Sequence, residues 1–202
     1  MKTQASFVLM LLFLATAAVA EHHEPPAPEV QIAGALTAAP EGVAEGATVM
    51  GYNAEGELVP LQEGDGLLVC LADKPGDDRF HAACYHKDLE PFMARGRELK
   101  AEGITKTSER HKIQHAEVDE GKLPFPKDRS TSLFTYSGKS YDAESGTVEG
   151  GKRMYVVYMP YATAESTGLP TGPVEGQPSA PWIMRMGTAS AHLMITPDMG
   201  KK

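Results

Sequence analysis

The residue pattern predicts an α+β fold, a mostly antiparallel β-sheet with two or three helices inserted between an N-terminal meander and C-terminal strands. Three observations lead there. Short β-branched and aromatic runs, separated by glycine and proline turns, fill both ends of the chain. Capped segments with helically spaced apolar residues occupy the middle, from Asp88 to Gly121. Two cysteines, Cys70 and Cys84, sit symmetrically about a turn at Asp77.

The 202-residue chain opens with Lys2, an apolar run from Phe7 to Ala20, and the small-x-small triplet Ala18-Val19-Ala20. That order predicts a cleavable export signal over 1–20, since the run is short for a span of about 20 residues. No cysteine follows it to carry a lipid. Residues 21–28, Glu-His-His-Glu-Pro-Pro-Ala-Pro, read as a stiff leader, disordered or loosely docked. Residues 29–202 then form a single α+β domain, a length that buries a real core.

Within it, Glu29 to Ala39 reads as a helix, with Pro28 just inside its start and Pro40 stopping it. Thr48–Tyr52 and Glu57–Val59 make a hairpin across Asn53–Gly56, and Pro60 belongs on an edge. Leu67–Leu71 and Phe80–His86 flank the turn Lys74-Pro75-Gly76-Asp77-Asp78. A hairpin centred on Asp77 sets Cys70 opposite Cys84 and Asp73 opposite His81. In an oxidising compartment the two thiols pair, and a loop of about 15 residues contributes on the order of 3 kcal/mol.

A second helix starts at Leu89, with Asp88 as cap, Leu89, Phe92, Met93 and Leu99 as its stripe, and Gly103 as its end. A third spans Thr107 to Glu120, with Ile113 and Val118 inward and Gly121 closing it; the same residues also fit a strand. Ser132–Tyr136, Arg153–Met159, Trp182–Met184 and His192–Ile195 supply the last strands. Ser137–Gly151 reads as a polar glycine-rich connection. Ala162–Pro181 reads as a long loop, a kind of segment that often carries function.

Charge narrows the partners. Without Lys2, 18 Lys and Arg face 27 Asp and Glu, a net charge of −9. Nucleic acid and anionic membrane surfaces both call for a positive patch, so neither is expected. No segment after the signal is long enough to span a membrane. The expected partner is an unidentified small ligand or an envelope protein.

Candidate sites come from reactive side chains. His81, His86 and His192 are the candidate metal ligands for copper or zinc, with Cys84 beside them and His111 and His115 elsewhere. Strand alternation turns His81 away from Cys84 and His86, and packing, capping or pairing with carboxylates is the ordinary fate of such histidines. Met154, Met159, Met184, Met186, Met194 and Met199 could offer thioethers to Cu(I), although methionine in strands is usually core. Cleavage after Ala20 would leave Glu21-His22-His23, a start that can wrap Cu(II). Ala164-Glu165-Ser166-Thr167-Gly168 lacks the first glycine of a nucleophile elbow. Asp77 and Asp78 could bind a hard cation, but turn aspartates more often bond their own backbone.

At Asp78–His86, Leu89–Leu99 and Tyr155–Leu169 the chain resembles a family of secreted bacterial proteins with no activity assigned to it. The resemblance implies a bacterial, exported origin and brings no cofactor or active-site residue. The leading reading is therefore a non-catalytic exported binding domain. The alternatives are an exported copper- or zinc-binding protein and a hydrolase with an unrecognised site.

Overall fold

The computed structural model describes residues 23–198. The expected export signal and the first two leader residues lie outside the described residues, as does Met199. The fold is α+β, built on one eight-stranded sheet that is antiparallel except at a single pairing.

Strands β1 (Thr48–Tyr52) and β2 (Leu58–Gln62) form the first hairpin. The Asn53 side chain draws its turn together, accepting from the amides of Glu55 and Glu57 at 3.1 and 2.8 Å. Strands β3 (Leu68–Leu71) and β4 (Phe80–His86) form the second. Their register is the expected one, with Leu68 opposite His86 and Cys70 opposite Cys84. The cysteines are disulfide-bonded, with Cα atoms 4.0 Å apart.

The two hairpins do not run on as a meander. β3 lies parallel to β1, on the side away from β2, so the connection between hairpins crosses the entry to β1. Glycine makes that crossing possible. The Gly66 amide donates to the Gly46 carbonyl at 2.8 Å, and a Cβ on Gly64 would stand only 2.0 Å from that oxygen.

Beyond β4 come β5 (Thr131–Gly138), β6 (Tyr141–Asp142), β7 (Thr147–Val148), β8 (Lys152–Tyr158), β9 (Trp182–Met184) and β10 (His192–Ile195). The sheet order is β2-β1-β3-β4-β5-β8-β10-β9, while β6 and β7 pair separately within the polar connection. Pro60 sits in edge strand β2, where a missing donor is tolerated. At the other edge, the Ile183 amide of β9 donates to the Pro170 carbonyl of the long loop. That loop also holds a single turn, α4 (Ala164–Thr167).

Helices cover the two faces differently. Helix α1 (Pro28–Leu36) lies over Val49, Cys70, Phe80 and Cys84. It stops three residues before Ala39, where the Thr37 hydroxyl bonds back to the Gly34 carbonyl at 2.6 Å. Buried Gln31 ties it to the sheet and the leader, donating to the carbonyls of Tyr52 and Pro26 and accepting from the Tyr52 amide.

On the opposite face lie α2 (Glu90–Ala101) and α3 (Thr107–Asp119). A 3₁₀ turn, Lys87–Leu89, precedes α2, and its cap is the His86 ring, whose Nδ1 accepts from the Asp88 amide at 3.2 Å. Asp88 is therefore not the cap; its carboxylate pairs with Arg129. Leu89, Phe92 and Leu99 are buried as expected. In α3 the buried residues are Gln114 and Val118, one turn apart, and Ile113 is only half-buried. Gln114 takes the inward place because its amide reaches the Phe92 carbonyl of α2 at 2.6 Å, which satisfies a buried polar group. Among the described residues no helix is long and apolar enough to cross a membrane.

Candidate functional site

The three predicted metal ligands do not meet. His81 and His86 project to opposite faces of β4. His81 pairs with Ser137, itself opposite Lys152, whereas His192 pairs with Tyr158 at the far end of β8. Six residues of strand separate those two levels, about 20 Å. His86 is occupied as a helix cap and His81 leans its amide on the Asp73 carboxylate at 2.8 Å. Among the described residues no three His, Cys, Asp or Glu side chains are grouped so as to hold a metal ion. Ser166 is spent with Thr163 on the capping box of α4.

A different set converges. His111 and His115, one turn apart on α3, stack with ring centres 6.1 Å apart. His192 lies against Tyr158 at 5.3 Å. Its Nδ1–H donates to the Ser190 carbonyl at 2.7 Å, leaving Nε2 as an acceptor. Burial holds all three imidazoles below their ordinary pKa, helped by the nearby Arg185 charge; His111 falls to about 3. They are neutral bases at physiological pH.

His115 Nε2 lies 2.6 Å from the Ser190 hydroxyl, which superficially resembles an activated nucleophile. Ser190 is 0 % exposed, so no carbonyl carbon can reach its oxygen. The pair instead ties α3 to the chain entering β10.

Above these groups a cleft of about 480 Å³ opens between the sheet and the α2–α3 pair. Met154 and Val156 of β8, Met184 of β9 and Met194 of β10 line its sheet side. These four come from alternating positions on one sheet face, which the methionine count alone does not reveal. Phe92 and Met93 line the helix side. Gly96 lets the helices close over it, since a Cβ there would stand 3.2 Å from the Gln114 amide nitrogen.

The charged groups lining this cleft are Arg97, Lys100, Arg110 and Arg185, beside the neutral rings of His111 and His192. Of these, His192 is a candidate ligand by sequence; the four cations carry no sequence signal, since Arg185 meets α3 only through the folded sheet. Arg185 follows β9 with φ +55°, a left-handed backbone that side-chain-bearing residues rarely adopt. The turn holds it there: its carbonyl accepts from the Thr188 amide and hydroxyl.

Two other depressions are less suited to hold a ligand. The larger of them, about 1080 Å³, is a groove beside the end of α1. Its Arg153 is spent on the Thr37 carbonyl at 2.6 Å and on the Tyr136 ring. The second, about 430 Å³, lies under His23 and the hairpin turn and mixes Asp73, Asp77 and Asp78 with Lys74, Arg79 and Lys139. Asp73 there is pushed up to about 6, chiefly by burial. No family model, curated protein or solved structure matches this chain.

Proposed function

We propose that this protein is an exported, non-catalytic binding domain that takes a small apolar ligand between the sheet and the α2–α3 pair. The observation that carries the reading is the methionine-lined cleft, whose volume lies within the range of small-molecule sites, roughly 300–1,000 Å³. Unbranched thioether side chains adapt to irregular ligands at little cost. Among the described residues, the serine held by a histidine side chain, Ser190, is sealed from substrate, which supports binding over hydrolysis.

Export is supported by the Ala18-Val19-Ala20 triplet and by a cysteine pair with bonding geometry. Mass spectrometry of native material should find Glu21 at the terminus and no alkylatable thiol; an intact Met1 would sink this part.

The cleft is tested with N-phenyl-1-naphthylamine, an uncharged dye that brightens in apolar surroundings. It should bind saturably, and Thr135→Trp, which fills the cleft from β5, should weaken it about tenfold with the fold intact. Equal dye binding by both proteins, or none by either, would overturn the reading.

A further inference from the structure

We infer that the ligand carries an anionic head, a carboxylate or phosphate at the end of a single apolar chain, and that Arg185 with Lys100 receives it at the cleft mouth. The inference rests on the binding reading above and adds the ligand's chemical class.

The charge of the lining points to it. In a chain with 27 acidic and 19 basic residues, the residues lining this cleft include four Arg or Lys and no Asp or Glu. Two of the four are already engaged. Arg97 pairs with Glu90 and donates to the Tyr85 hydroxyl at 3.2 Å. Arg110 is spread over the carbonyls of Ile104 and Thr105 and the Thr107 hydroxyl. Lys100 and Arg185 have no ion pair among the described residues.

Arg185 carries two costs that its own surroundings do not offset. Its guanidinium is partly desolvated, and burial holds its pKa below the ordinary range. The groups that act on it are the neutral rings of His111, His115 and His192 and the Tyr158 phenol, none of which supplies a negative charge. Its left-handed backbone, φ +55°, is the second cost. An anion at this point would answer the first cost through a charge-assisted, bidentate contact. Arg185 lines both the inner cleft and the open depression beside α3, which also carries Lys112 and Asp119, the latter accepting from the Tyr161 hydroxyl at 2.7 Å. The head would sit on the cleft side of Arg185, which Lys100 also lines, and the chain would run inward over Met154 and Met194.

Calorimetry with decanoate and 1-decanol on the full mature chain separates this inference from the reading it rests on. Decanoate should bind about tenfold tighter than 1-decanol, and Arg185→Asn should bring decanoate down to the alcohol's affinity while leaving the alcohol unchanged. Asn tolerates the left-handed backbone, so this variant keeps its fold. Lys100→Gln should weaken decanoate about threefold. If alcohol and acid bind equally, or Arg185→Asn weakens both alike, the anionic head is wrong and the apolar site stands. If neither binds, the binding reading falls with it. Binding to phosphatidylglycerol vesicles with none to monomeric decanoate would place the charge on a surface and overturn the assignment.

Discussion

The two faces of the sheet are built from different materials. Under α1, buried alanines (Ala35, Ala38, Ala47, Ala72 and Ala82) surround the Cys70–Cys84 bridge. Small side chains bring helix and sheet backbones close, and a disulfide ties β3 to β4 beneath them. Under α2 and α3 the partners are long and deformable, Met93, Met154, Met184 and Met194 with Tyr85 and Tyr158. That side keeps a cleft, gathers neutral histidines and lines the cleft with cations but no carboxylate. One face sustains the fold and the other is free to specialise, a division that follows from side-chain length alone.

The sharpest way to break the contrast is to remove the bridge. The double variant Cys70→Ala, Cys84→Ala should lose about 3 kcal/mol in denaturant unfolding. Decanoate affinity, measured where the variant is still folded, should not change; a large loss would mean the two faces are coupled.

Overpacking comes next. Ala82 is fully buried beneath α1, so Ala82→Leu should cost about 1–3 kcal/mol. Met154→Leu on the opposite face conserves volume and should cost less than about 1.5 kcal/mol. Equal costs would erase the distinction in packing.

Proton linkage distinguishes the faces by sign. The cleft histidines have folded pKa values below 6.5, so the unfolded chain takes up protons first as pH falls. Their contribution is present above about pH 6.5 and declines below it, toward about 3 for His111. Asp73 runs the other way. Its folded pKa near 6 exceeds the ordinary 3.8, so it favours folding below that window and opposes it as pH rises through 6. Unfolding curves at pH 7.5 and 5 should show His111→Gln losing less stability on acidification than the wild type. Asp73→Asn, whose amide oxygen can still accept from His81, should gain stability at both pH values and more at pH 7.5 than at pH 5, by less than about 1 kcal/mol.

The smallest effect is the most diagnostic. Arg185→Asn relieves backbone strain and a desolvated charge together, so its melting temperature should equal or slightly exceed the wild type's. A clear drop would show that Arg185 holds the turn rather than waiting for a ligand.

What could be read beforehand divides along the same line. The Asp77-centred hairpin was legible because its strands, turn and cysteines lie within twenty residues and obey one local symmetry. Strands β1, β9 and β10 were legible from their own composition. The parallel pairing of β1 with β3 was not, since it depends on a Gly64–Gly46 approach that no periodicity announces. Nor was the β6–β7 pairing, two residues a side inside a polar stretch. At the site, His192, His111 and His115 were all visible as reactive side chains, but their convergence was not. His115 meets Ser190 across 75 positions, a contact no short-range pattern encodes. Gln114 displaced Ile113 from the interior because a carbonyl on another helix needed a donor.

Pro60 in β2 and the Pro170 carbonyl capping Ile183 in β9 sit at the two lateral margins of the sheet. Each removes a site where a stray chain could add itself as another strand. Sealing both margins guards the sheet against propagating edge to edge into aggregates, and leaves the methionine-lined cleft on a face that backbone pairing cannot reach.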